Sequence, residues 1–85
     1  MTMRERIRYM RAIYSLTQKE IGNALGCAKQ YITNIEKNRV NATDEKLEEI
    51  LLITVKLGEA KKHGNFDEIM QELINTRKEI IEKEK

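Results

Sequence analysis

A length of 85 residues, a formal net charge of +2, no proline, one cysteine and one histidine narrow what this chain can be. A lone Cys27 excludes an internal disulfide, and with His63 as the single imidazole no structural metal set can be assembled, so neither metal nor cofactor is expected. A chain this short buries only about 60–65% of its unfolded surface, so one domain with at most an appendage is expected, and association would add stability.

A charged fraction of 35% rich in Glu and Lys, with a single Phe, points to an all-α protein, and no alternating strand pattern competes. The first expected helix runs from about Thr2 to Tyr14, with Met3, Ile7, Met10 and Tyr14 along one face. Its start alternates Arg with apolar residues and has no long apolar run. Neither a secretion signal nor a membrane span is therefore expected, and the expected compartment is the cytoplasm.

The stretch QKEIGNALGCAKQYITNIEK, Gln18 to Lys37, predicts two short helices joined by a tight turn. Thr17 followed three residues later by Glu20 is a capping box. Gly26 can take the left-handed conformation that ends a helix without a Cβ penalty, and Gly22 allows the next helix to approach closely. The predicted helices span about Gln18–Leu25 and Ala28–Lys37, with Ile21, Leu25, Cys27, Ile32 and Ile35 turned inward. Asn38 to Ala42 reads as a polar loop. Thr43 or Asn41 can cap a fourth helix whose stripe is Leu47, Ile50, Leu51, Thr54 and Leu57, ending either near Leu57 or at His63. Asn65 then caps a last helix from about Phe66 to Glu82, amphipathic through Phe66, Ile69, Met70, Leu73, Ile74, Ile80 and Ile81.

Charge is unevenly distributed. Residues 1–40 carry eight Lys or Arg against three acids, a net +5, while residues 41–85 carry eight against eleven, a net −3. The basic excess coincides with the two-helix motif, as a phosphate-facing surface requires.

On Leu16-Thr17-Gln18, Glu20-Ile21, Leu25-Gly26, Ile32, Ile35-Glu36, Asn41 and Leu47 the chain resembles the Cro/C1-type helix-turn-helix regulators of the Xre family, over roughly Arg4 to Leu57. It departs from that pattern at Gly22, at Ala28 where a Ser or Thr cap is usual, and at Ala42 where proline often follows Asn41. Residues 64–85 lie outside the resemblance; their amphipathic stripe is expected to serve dimerisation or a different protein partner, with packing on the body of its own domain as the alternative. The resemblance implies a compact five-helix lambda-repressor-like domain over residues 1–63. It also implies an ion pair between Arg11 and Glu36, and Gln18 approaching a phosphate.

If Ile32 and Ile35 face the core, Lys29, Gln30, Thr33 and Asn34 face outward at the start of their helix, where base edges are read in the major groove. Tyr31, Lys37, Asn38 and Arg39 are expected against the DNA backbone with Gln18. For Tyr31, covering the edge of the core is the competing role. The function expected is sequence-specific binding of double-stranded DNA by a transcriptional repressor, as a homodimer on an inverted repeat. The rival is an antitoxin or similar interaction module whose last helix binds a different protein. No nucleophile, base and electrophile cluster suggests an enzyme, and a membrane-surface role is disfavoured by acids on the polar face of the last helix.

Overall fold

The computed structural model describes the backbone of residues 1–84 and side chains through Arg77. Five helices follow one another: α1 Met3–Ile13, α2 Gln18–Leu25, α3 Lys29–Glu36, α4 Asp44–His63 and α5 Phe66–Glu84. No strand occurs among the described residues.

Each of the first four helices stops at a left-handed residue. Ser15, Gly26, Asn38 and Gly64 have φ of 55°, 74°, 57° and 79°. In each case the next residue's N–H reaches back five positions: Leu16 to Arg11, Cys27 to Gly22, Arg39 to Asn34 and Asn65 to Ala60, at 2.8–3.0 Å. That bond satisfies a terminal carbonyl and turns the chain sharply. The starts of α1, α2 and α4 are satisfied by hydroxyls. Thr2 with Glu5 and Thr17 with Glu20 form complete capping boxes, and Thr43 Oγ1 accepts from the Lys46 N–H. Thr43 rather than Asn41 is the cap of α4.

The core has two connected parts. Ile7, Ile21, Ile32, Ile35, Leu47 and Ile50 join α1, α2, α3 and α4, with Met3, Leu25, Tyr31, Val40, Ala42 and Leu51 packed around them. Leu16, Ala24 and Leu57 form the second part, covered by Tyr14, Ile53 and four residues of α5, Phe66, Ile69, Met70 and Leu73. Thr54 is fully buried, its hydroxyl donating to the Ile50 carbonyl at 2.7 Å, so no polar atom is stranded there.

The fourth helix continues past Leu57 to His63 because its last turns are needed. Gly58 is buried beneath the Tyr14 ring, which occupies the space a Cβ would fill. Tyr14 donates to Glu59 Oε1 at 2.6 Å, and that carboxylate holds the phenol pKa above its ordinary value. Lys61 donates to the Ser15 carbonyl at 2.7 Å, lies 3.6 Å from Glu20 and stands 5.6 Å over the Phe66 ring. One lysine thus ties the end of α1 and the starts of α2 and α5 to α4. The result is 34 × 33 × 19 Å.

Candidate nucleic-acid interface

The crossing of α2 and α3 is held from beneath by Ile21, Ile32 and Ile35, all without solvent exposure. Gly22 is buried so closely against the turn that a Cβ there would lie 2.7 Å from the Cys27 carbonyl oxygen. The short turn and the close approach thus depend on two glycines four residues apart, Gly22 and the cap Gly26, the Gly22 carbonyl accepting from the N–H groups of both Gly26 and Cys27. From there α3 leaves with Ala28 in N-cap geometry (φ −71°, ψ 151°) but with no side-chain cap.

A polar network fixes how the two helices sit. Arg11 donates from Nε to Glu36 Oε2 at 2.7 Å and from Nη2 to Oε1 at 2.9 Å, a bidentate pair, and also from Nη1 to the Leu16 carbonyl at 3.1 Å. The Glu36 side chain is only 3% exposed. Its bonds to Arg11 raise the guanidinium pKa. Gln18 donates from Nε2 to Glu36 Oε1 at 3.2 Å and accepts from the Thr33 hydroxyl at 2.6 Å. Four side chains from α1, α2 and α3 thereby form one chain of bonds.

The residues expected to read bases are distributed unevenly on α3. Lys29 and Gln30 are exposed and Asn34 is half-buried, with Gln30 Nε2 donating to Asn34 Oδ1 at 3.1 Å. Thr33 is half-buried, and its hydroxyl is within reach of both Gln18 Oε1 and the Lys29 carbonyl. Having one proton, it favours the shorter bond to Gln18, so its methyl is the group left for a ligand. Lys37, Asn38 and Arg39 are exposed just past α3, where the left-handed Asn38 turns the chain. Tyr31 packs half-buried on the first core cluster, the competing role noted for it.

Two contacts escaped sequence reasoning. Arg4 donates to the Ile35 carbonyl at 3.0 Å, placing a cation at the negative end of α3. Arg77 of α5 lies over Gly26 and donates to the Asn23 carbonyl at 3.4 Å, at the negative end of α2. Arg residues at helix C-termini are a known electrostatic preference, but which distant Arg reaches which helix end has no local signature. The terminal helix also differs in placement from an unattached arm. Phe66, Ile69, Met70 and Leu73 lie on their own domain, and Ile74 is half-buried. Ile80 and Ile81 lie outside the residues whose side chains are described.

A family model described as Helix-turn-helix (HTH_3) matches residues 7–53, more than half of the chain. The chain belongs to the Cro/C1-type helix-turn-helix family. Comparison with curated proteins and with solved structures finds no match. As a member of that family, this is a DNA-binding helix-turn-helix protein with an all-helical, lambda-repressor-like fold of five helices. In this helix-turn-helix protein α2 and α3 are the two helices of the motif, and α1 and α4 are its support. No helix among the described residues is long and apolar enough to cross a membrane, and no cluster of metal-ligating side chains occurs among them.

Proposed function

We propose that the protein is a transcriptional repressor that binds an inverted-repeat operator in double-stranded DNA as a homodimer, in the cytoplasm. The observation that carries the reading is the contrast within α3: Ile32 and Ile35 are fully buried, while Lys29, Gln30 and Asn34 lie on the opposite side, within reach of solvent. A helix so mounted can enter a major groove about 12 Å wide with its amino and amide groups leading. Lys29 suits guanine O6 and N7, Gln30 and Asn34 suit adenine N6 and N7, and the Thr33 methyl suits a thymine methyl. The Gln30–Asn34 bond sets both amides before any base arrives, which lowers the ordering cost of binding.

Gln18, Lys37, Asn38 and Arg39 flank this helix at its two sides and would grip phosphates, setting register without reading sequence. Tyr31 would join them only with its hydroxyl edge, since its ring is held by the core. Repression follows from occupancy of a promoter.

Selection of bound sequences from a random duplex pool tests the reading directly. The expected result is a two-fold symmetric site with half-sites about 34 Å apart. On that site Gln30→Ala and Asn34→Ala should each relax preference at one base pair per half-site, at a cost of ~1–3 kcal/mol. Arg39→Ala should weaken all duplexes alike and make the salt dependence shallower by about one counterion. Failure to enrich any sequence, or equal effects from both kinds of variant, would overturn it.

A further inference from the structure

Leu52 is 63% exposed in the middle of α4, a large apolar side chain on the surface of a small protein. It does not stand alone. Leu52 borders an open groove between α4 and α5 whose other apolar walls are Ile53 and Leu73 and whose rim is Glu45, Glu48, Glu49 and Lys56. Among the described residues neither Glu48 nor Lys56 forms a salt bridge, whereas Glu49 is paired with Lys46 at 3.6 Å.

The order of these charges along the helix selects the occupant. Glu48 lies one turn before Leu52 and Lys56 one turn after it, all three along one side of α4. A second α4 packed antiparallel, with a two-fold axis at Leu52, sets Leu52 against its own copy and opposes residues whose numbers are symmetric about 52. Glu48 then faces Lys56 of the other copy, twice over. A parallel pair would instead set the acids of the first half of α4 against themselves. Glu45 and Glu59 become opposed two turns from the axis, where crossed helices have diverged, and Glu59 is already bonded to Tyr14. The same patch serves both partners, which is the requirement of a two-fold interface.

We infer that the α4 face centred on Leu52 is the surface through which two copies of this chain pair, antiparallel, with Glu48 of each against Lys56 of the other. This rests on the homodimer of the proposed function and names its surface, which is the α4–α5 groove rather than the stripe of α5 that packs on its own domain.

Sedimentation equilibrium of the full chain at low salt, with helix content followed by circular dichroism, tests it. Wild type should sediment as a dimer. Leu52→Asp and Glu48→Lys should each raise the dimer dissociation constant on the order of tenfold or more while helix content is kept, because both positions are exposed. Lys56→Glu should do the same, and the double variant Glu48→Lys/Lys56→Glu should regain the wild-type constant, an outcome that a merely damaged surface could not give. A wild-type dimer unchanged by these substitutions would overturn this surface and leave the homodimer standing. A wild type that is monomeric at every concentration would overturn both.

Discussion

Arg11 and Glu36 show what a single buried charge costs a small domain. The carboxylate is nearly sealed and accepts three bonds, two from Arg11 and one from Gln18, whose carbonyl oxygen in turn accepts from Thr33. Glu36→Ala strands a guanidinium and removes the partner that orients Gln18. The expected loss is about 2–3 kcal/mol in urea denaturation, below the range for fully buried pairs because the Arg11 side chain keeps 21% exposure. Replacing both partners by apolar residues should cost less than the single change, and a larger cost for the double variant would contradict this assignment. Gly58 argues in the opposite direction from its helix propensity. In the interior of a solvated helix Gly→Ala is worth about 1 kcal/mol of stabilisation. Here the added methyl meets the near side of the Tyr14 ring, which its hydroxyl bond to Glu59 holds down. Gly58→Ala should therefore destabilise by about 1–3 kcal/mol, read as a lower thermal midpoint.

At the scale of the helices, local chemistry was legible and distant partnership was not. The extent of α2 could be read from Thr17, Glu20 and Gly26 because all its boundary signals lie within a few residues of one another. The apolar stripe of α4 was equally plain, but its end was not, since Gly58 looks like a breaker until Tyr14, 44 positions earlier, is seen to fill its place. Asn38 as a left-handed terminator, and Arg4 and Arg77 at helix ends, depended on backbone geometry and on tertiary reach. In the interface the outward residues of α3 followed from two buried isoleucines, whereas the engagement of Gln18 and Thr33 with each other required the angle between α2 and α3. The missing cap of α3 was visible at both levels. Ala28 already has N-cap dihedrals, so Ala28→Ser needs no backbone change to offer a hydroxyl to the first turn. It should stabilise the protein by ~1 kcal/mol, measured as a shift of the urea midpoint with unchanged slope. A loss of stability would mean that the Ala28 methyl is packed in a way its exposure does not indicate.

For the molecule as a whole, the question is whether the last helix is an appendage or part of the fold. Phe66, Ile69, Met70 and Leu73 cover Leu16, Ala24 and Leu57, which belong to the α1–α2 connection, α2 and α4. Without that cover the second half of the core would face water. Arg77 extends the attachment to the turn that launches α3. Residues 66–77 thereby cover the motif as a lid, and folding is expected to be a single transition. Ile69→Ala tests this, because Ile69 lies on the second cluster and does not line the groove beside Leu52. The expected cost is about 1–2 kcal/mol, at the low end for a large aliphatic residue because the side chain is only half-buried. Circular dichroism and tyrosine fluorescence should report the same lowered midpoint, and the sedimenting mass should match wild type. If the variant instead dissociates with its folding stability intact, Ile69 serves an interface between molecules and α5 is not the lid described here. If the two probes separate, the helix melts on its own and the domain ends at Gly64.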